Sequence, residues 1–450
     1  MYFSRFNLFS KLRDSENYFI VNLLSGNADI LGPAEAQGVI EGRFPNRQEF
    51  VEKGYLVEKD QEEHSYRMKY LDFLDKRDSG EIQIFFVPTY ACNFSCSYCY
   101  QNKYSAEQGR LTRDVIDSFY RYIDSEFADR DKYITIFGGE PLLPDHNSKE
   151  NIKELIQGAN RRGMDIAVVT NGYHLDEYVP VLDEGSIREI QVTLDGIEDI
   201  HNSRRPLRNG EATFCKIVQG IDRLLEGGYT VNLRVVLDND NIDELPALAR
   251  FASERGWTDN PGFKTQLGRN YELHTCQVDG GKLFSRAAFY DRLYNLVQAH
   301  PEVSEFHRPA FSLSRFLFEN GELPEPLFDS CPACKTEWAF DYTGRIYSCT
   351  ATVGKQDECL GTFHPELTRK EEIIQNWQER DVTSIPECTS CSLQLTCGGG
   401  CGSVAKNRTG SIHTPDCRPE KDLMEMGISL YFEKGLFDGR ENNVHQCCTI

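Results

Sequence analysis

Between residues 82 and 99 the chain passes from an apolar strand pattern, Ile82–Val87, into Cys92-Asn93-Phe94-Ser95-Cys96-Ser97-Tyr98-Cys99. Three cysteines at C-x3-C-x2-C spacing on one loop constrain the fold more than any other segment, because thiolates this close can share one inorganic centre. They can hold three irons of a four-iron, four-sulfur cluster. A closed structural cluster calls for a fourth cysteine nearby, and the next one in the chain is Cys215. The fourth iron is therefore expected to be open to a small molecule. A three-cysteine zinc site is the competing reading.

Further short motifs follow at the ends of strand-like runs. Residues 133–137 alternate as a strand and lead into Gly138-Gly139-Glu140-Pro141. Paired glycines let backbone approach a ligand closely, and Glu140 can accept hydrogen bonds from an ammonium group. Residues 165–170 read as the next strand and end in Asn171-Gly172, and residues 189–194 lead into Asp195-Gly196. Thr193 and Asp195, two apart, are expected to face the same mouth of a barrel. His201 and Arg205-Pro206 follow as HxxxRP, and residues 230–237 form another strand containing Arg234. Each motif alone is only a turn. Taken in order, they predict a parallel β/α barrel with its chemistry at the strands' C-terminal ends. Six strand candidates, beginning near Ile82, Tyr133, Asp165, Glu189, Thr230 and Gly262, make that barrel partial and open on one side. Helical patterns separate them, as at Arg113–Glu126 and Phe214–Glu226.

At 450 residues and 40% hydrophobic content, the chain has room for two or three domains with a sizeable core. A net charge of −21 argues against nucleic-acid or anionic-membrane partners. The start lacks a signal-peptide pattern and no stretch reaches membrane-span length, so a cytoplasmic location is expected. Sixteen cysteines without an export signal point to metal or clusters rather than disulfides. Residues 1–80 read as a hairpin over 18–31 turning at Ser25-Gly26-Asn27. A helix from Pro33, a second helix ending near Gly54, a strand at Tyr55-Leu56-Val57 and a charged turn over 59–63 follow. This is a small winged-helix-like unit; an ordinary extension of the barrel is the alternative. The last third collects Cys331-x2-Cys334, Gly344-x4-Cys349, Cys388-x2-Cys391-x5-Cys397-x3-Cys401 and Cys417. A zinc ribbon on Cys331, Cys334, Cys388 and Cys391 would leave four of these cysteines without a role. Of the remainder, Cys215 is expected as a small core residue, Cys447 and Cys448 as a tail pair, and Cys276 and Cys359 carry no role.

With these motifs in place, the chain resembles the radical S-adenosylmethionine (radical SAM) enzymes, and its C-terminal cysteines resemble the SPASM module of the peptide-modifying members. The resemblance implies an α/β fold: a winged-helix-like peptide-recognition domain over 1–80, a partial (β/α)6 TIM-type barrel over 81–305 and a SPASM domain over 306–450. It implies a SAM-binding [4Fe–4S] cluster on Cys92, Cys96 and Cys99, with SAM contacts from Gly138, Gly139, Glu140, Thr193, Asp195 and Arg205. Two auxiliary [4Fe–4S] clusters are implied, one on Cys388, Cys391, Cys397 and Cys417, the other on Cys334, Cys349 and Cys401 with Cys331 or an open site as the eighth position. The implied function is maturation of a ribosomally synthesised precursor peptide, held by its leader, with a thioether or carbon–carbon cross-link as product and flavodoxin or ferredoxin as electron donor. No residue is assigned as acid or base. Sulfatase maturation to formylglycine is the runner-up, weakened because Thr350 stands where those enzymes carry an Asp. A thioether-forming maturase of a dehydrogenase subunit and a non-enzymatic electron-transfer or zinc scaffold complete the alternatives.

Overall fold

The computed structural model describes residues 1–44, 46–99, 109–269 and 283–434. At the N-terminus β1 (Tyr2–Phe3) pairs with β5 (Leu56–Val57), while β2 (Asn7–Lys11), β3 (Tyr18–Asn22) and β4 (Ala28–Leu31) form an antiparallel sheet in that order. The hairpin expected over 18–31 is therefore β3–β4, with a further strand, β2, on its other side. Helices α1 (Pro33–Ile40) and α2 (Arg47–Glu52) fill the interval before β5.

Helix α3 (Lys59–Ser79) starts where the sequence suggested a charged turn. Its first residues carry Asp60 and Glu62, which favour the positive end of the helix dipole, and Glu63 lies within 4.0 Å of Lys59 one turn away. The apolar face is three aromatics, Tyr66, Tyr70 and Phe73, stacked around the buried Phe328 ring at 5.1, 5.2 and 5.6 Å. Charge elsewhere on the helix hides that stripe from a hydrophobicity pattern.

Six parallel strands follow: β6 (Ile82–Val87), β7 (Lys132–Ile136), β8 (Ile166–Thr170), β9 (Ile187–Thr193), β10 (Val231–Leu237) and β11 (Phe263–Arg269). Helices α4 (Arg113–Glu126), α5 (His146–Asn160), α6 (Leu175–Leu182), α7 (Glu198–Arg204), α8 (Phe214–Glu226) and α9 (Leu245–Glu254) lie between them. Alternation sets the layers. Ile84, Phe86, Ile134, Ile136, Leu233 and Val235 point outward into one core with Phe119, Ile123, Leu224 and Leu248. Several inward positions are polar, where a complete barrel would carry stacked aliphatics. Gln83 donates to Thr135 at 2.9 Å, Gln191 to Gln266 at 2.7 Å and Asn232 to Glu189 at 2.9 Å.

A seventh parallel strand, β12 (Glu337–Asp341), pairs with β6, and β13 (Arg345–Tyr347), β14 (Gly361–Thr362) and β15 (Thr368–Arg369) extend the sheet antiparallel. The order is β11-β10-β9-β8-β7-β6-β12-β13-β14-β15, so the barrel sheet runs directly into the cysteine-rich region. Among the described residues no helix is long and apolar enough to cross a membrane.

A second apolar core joins the two ends of the chain. Phe6, Leu8, Phe19, Val21 and Leu24 pack with Leu317, Phe328, Val382, Ile385, Cys388, Leu395, Met424 and Ile428. The Arg13 amide donates to the Glu425 carbonyl at 3.3 Å and the Leu323 amide to the Gly26 carbonyl at 3.1 Å. The N-terminal unit thus covers the cysteine-rich region. Phe328→Ala should cost about 3–5 kcal/mol in chemical denaturation, and deletion of residues 1–78 should expose this core and lower the melting temperature of what remains. An unchanged melting temperature in the truncated chain would contradict the shared core.

Candidate functional site

The cysteine loop leaves β6 at the C-terminal edge of the sheet, and two other motifs hold it. The Gly139 amide donates to the Thr89 carbonyl at 3.0 Å and the Glu140 amide to the Ala91 carbonyl at 2.8 Å. A methyl group on Gly139 would overlap the carbonyl oxygens of Tyr90 and Ala91, and Gly138 has a φ of +144°. The close approach these glycines permit is therefore to the chain's own backbone at 89–91. From the other side, the Ser95 amide donates to the Pro206 carbonyl at 2.9 Å and the Ser97 amide to the Arg204 carbonyl at 3.0 Å. The Arg208 Nε donates to the Cys92 carbonyl at 2.7 Å.

Glu140 is buried at the base of this clasp. Its carboxylate accepts from the Thr170 hydroxyl and the Asn171 amide at 2.6 Å each and from the Leu142 amide at 2.9 Å. Burial raises its pKa above the ordinary carboxylate value, and those hydrogen bonds pull it back. The Asn171 side chain donates to Asn93 Oδ1 at 2.7 Å and stands 3.9 Å from Cys92 Sγ. Thr170 and Asn171 thus link the Glu140 carboxylate to the first cysteine.

Thr193 ends β9 on the inward face and is buried. The Asp195 carboxylate accepts from Arg204 Nε at 3.2 Å and from the Val236 amide at 3.1 Å, while its own amide donates to His201 Nδ1 at 3.3 Å. Arg204 also pairs with Asp238 at 2.8 Å. Asp195 is thus held inside a buried ion network. Arg205 donates from Nη1 to the Tyr98 hydroxyl at 2.5 Å. Its charge opposes the burial that raises the Cys96 thiol pKa. Sequence reasoning passed over Tyr98, whose place between two cysteines and beside HxxxRP was the available signal.

The cysteines fall into three sets of mutually interacting thiols. Burial pushes Cys92 up to about 12, with Glu140, Cys96 and Cys99 adding to the shift. Cys334 and Cys349 are raised by burial, Cys334 feeling Cys349 and Cys331, and Cys349 feeling Glu337, Cys331 and Cys401. Cys388 is pushed up to about 12 by burial and by Cys397, Cys391 and Cys417. Cys397 thus acts on Cys388, and Cys401 on Cys349. Between Cys397 and Cys401, Gly398, Gly399 and Gly400 take φ values of 53°, 75° and 69°, a left-handed run that turns the chain sharply. The four cysteines of the ribbon reading divide as Cys331 with Cys334 and Cys388 with Cys391, in separate sets. Among the described residues no three His, Cys, Asp or Glu side chains could share a single metal ion. Ligands of a four-iron cluster sit at its separate corners, so the three sets suit that centre by residue type and grouping. Cys215 is exposed on α8, not in a core, because it lies on the solvent face of that helix. Cys359 is half-buried near the Gly361 carbonyl. Cys276, Cys447 and Cys448 lie outside the described residues.

One inward carboxyl was not anticipated. Glu337, first residue of β12, accepts from the Thr350 amide at 2.7 Å. Thus the position expected to lack a carboxylate has one at hydrogen-bond distance, supplied by a different strand. Its place in an alternating Glu-Trp-Ala-Phe-Asp run was the signal.

Residues 86–252 match the profile of the radical SAM superfamily. The chain carries a radical SAM domain. It is similar to the mycofactocin maturase MftC of Mycolicibacterium smegmatis, 25% identical over 341 residues, covering 72% of this chain and 78% of that protein. It is also similar to the GTP 3′,8-cyclase of Campylobacter fetus, 27% identical over 169 residues, covering 37% of this chain and 51% of the cyclase. The chain spans about half the length of the cyclases it matches. Among solved structures, anSMEcpe with bound AdoMet and a peptide superposes with a TM-score of 0.60 at 18% identity, covering 80% of this chain and 98% of that one. SuiB of Streptococcus suis bound to S-adenosylmethionine gives 0.54 at 14% identity, covering 92% and 97%. These superpositions show a shared fold built on an open parallel barrel.

The thiol shifts have a consequence for pH. Raised pKa values mean the metal-free fold favours neutral thiols. Their stabilisation is full below the unfolded thiol value of about 8.5 and is lost as pH rises toward the folded values. Metal-free protein should therefore melt at lower temperature between about pH 8 and pH 11, a fall that shrinks in Cys388→Ser. Iron-loaded protein should lack that thiol contribution, because bound thiolates hold no proton. The same slope in Cys388→Ser as in the parent would contradict the shift.

Proposed function

We propose that this chain is a radical SAM maturase of a ribosomally made peptide, working in the cytoplasm with one SAM-binding and two auxiliary [4Fe–4S] clusters. When bound, the first cluster would supply the electron that splits SAM into methionine and a hydrogen-abstracting 5′-deoxyadenosyl radical. The observation that carries this reading is the cysteine loop itself: three thiols beside a buried, pre-oriented carboxylate at the mouth of an open parallel barrel. Cys92, Cys96 and Cys99 would ligate three irons, and Glu140 would accept the methionine ammonium with its remaining lone pairs. Gly138 and Gly139 would set the carboxylate's height, and Thr193 would line the SAM site. Arg205 would hold positive charge against the loop thiolates.

Cys388, Cys391, Cys397 and Cys417 would hold one auxiliary cluster, and Cys331, Cys334, Cys349 and Cys401 the other. The division into 1–80, 81–305 and 306–450 is retained as a functional one, although the first and last parts share a core. Residues 1–80 would hold the leader. The open side and polar interior of the barrel favour a polymer segment as substrate, and the similarity to MftC over most of its length favours a peptide. The auxiliary clusters would supply an electron acceptor, so a cross-link formed with overall loss of one hydrogen atom, one electron and one proton would leave a product two hydrogens lighter. A thioether or carbon–carbon cross-link fits that balance, with flavodoxin or ferredoxin supplying electrons to the first cluster.

Glu337 beside Thr350 keeps formylglycine formation as the second reading, since a carboxyl stands close to where that chemistry wants one. The product decides. Anaerobically reconstituted enzyme should carry about twelve irons and lose about four in the Cys92, Cys96, Cys99 triple alanine variant, together with SAM cleavage. Its peptide product should be lighter by two hydrogens per modification and unreactive to a hydrazine probe. A trapped aldehyde would favour the second reading, and tightly bound zinc with little iron would refute both.

A further inference from the structure

We propose that Arg234 is a specificity-determining residue that receives a carboxylate of the peptide substrate inside the barrel. This rests on the peptide-maturase reading above. Arg234 sits in β10 between Leu233 and Val235, both of which point into the outer core, so its side chain lies on the inward face. Its Nε is buried with no hydrogen-bond partner among the described residues. The carboxylates nearest in sequence and sheet are already engaged. Glu189 accepts from Asn232 at 2.9 Å and lies 3.6 Å from Lys264, and Asp238 pairs with Arg204 at 2.8 Å. The neighbouring inward position on β11 is Gly268, where a methyl group would stand 3.6 Å from both Nε and Nη2 of Arg234. The guanidinium therefore lies over the Gly268 backbone, with no side chain from that position beside it. Two residues below, Asn232 Oδ1 is also buried without a partner among the described residues. A buried N–H left without an acceptor is costly, and the guanidinium's planar donor fork matches a carboxylate.

The carboxylate of SAM is the other source of this chemistry, and its expected place argues against it. The SAM amino and carboxylate groups share one carbon, and Glu140, the expected ammonium acceptor, follows β7. β7 is three strands from β10 in the sheet order. That is about 14 Å of backbone spacing along the sheet, and SAM affinity in Arg234→Gln separates the two sources. Arg234 also pairs across the sheet with Thr193 at the barrel mouth. A substrate side chain or C-terminus held there would lie beside the reacting end of SAM.

The test uses the full chain with its clusters reconstituted, saturated with SAM, and two pairs of small probes. N-acetyl-glutamate N-methylamide is compared with the matching glutamine amide, and N-acetyl-alanine with its C-terminal amide, by ligand-observed NMR titration. The parent should bind at least one carboxylate probe about ten- to a hundredfold tighter than its amide. Arg234→Gln should abolish that preference and Arg234→Lys should keep part of it, with iron content as the check on folding. SAM affinity without probe should stay within about twofold in Arg234→Gln. No preference in the parent, or a preference that survives Arg234→Gln, would overturn the proposal. A tenfold loss of SAM affinity would overturn it by assigning Arg234 to SAM. Failure of SAM cleavage in the parent would instead strike the proposed function, while probe binding still reads Arg234.

Discussion

The contact between Gly139 and the backbone at 89–91 is the constraint on which the rest of the site depends. Two parallel strands, β6 and β7, end side by side, and their loops must cross at the barrel mouth. With no side chain at Gly139 the crossing closes to two backbone hydrogen bonds, to the carbonyls of Thr89 and Ala91. Any larger residue would push the loops apart. Closure places Glu140 where Thr170 and Asn171 can fix its carboxylate, and Asn171 in turn reaches Asn93 beside Cys92. Geometry at the first cysteine is thus set by three strand ends acting together, which is how a loop can present reactive groups with the precision of the sheet beneath it.

The opposite side of the loop is held by charge. Asp195, Arg204 and Asp238 form a buried ion network under the HxxxRP segment, whose carbonyls accept from Ser95 and Ser97. Removing one member would leave an uncompensated buried charge, costing about 3–5 kcal/mol. Farther away, the cysteine-rich region is built onto the same sheet through β12 and covered by the N-terminal strands and α3. Cys388 shares an apolar core with Phe6, Leu8 and Phe328. Whatever binds the N-terminal unit therefore acts on a surface mechanically continuous with the second thiol set.

Much of this was legible in the sequence, for identifiable reasons. β6, β8 and β10 alternate between core and interior, and β6 to β9 each lead into a short motif, so strand order and site edge could both be read. The grouping of the C-terminal cysteines came only from the resemblance to the SPASM module, and the left-handed run Gly398–Gly400 between Cys397 and Cys401 is a tertiary feature that agrees with it. What escaped was tertiary. α3 reads as a charged turn because its only apolar stripe is aromatic and amphipathic. β12 lies in a cysteine-rich stretch, and its pairing with β6 crosses some 250 residues of chain, so the short run Glu337–Asp341 gave no sign of its distant partner. The ion network that ties Asp195 to Arg204 and the Val236 amide also had no sequence signature, because its members come from different strand ends. Cys215 fits a helix pattern but lies on its wet side.

The most direct test of the clasp is the iron content and SAM affinity of Gly139→Ala, measured by Mössbauer spectroscopy and equilibrium binding on anaerobically reconstituted protein. The added methyl should open the crossing, so that about four of about twelve irons and SAM binding are lost together while the other eight remain. Full iron occupancy with unchanged SAM affinity in that variant would show that the loop holds its geometry without the clasp.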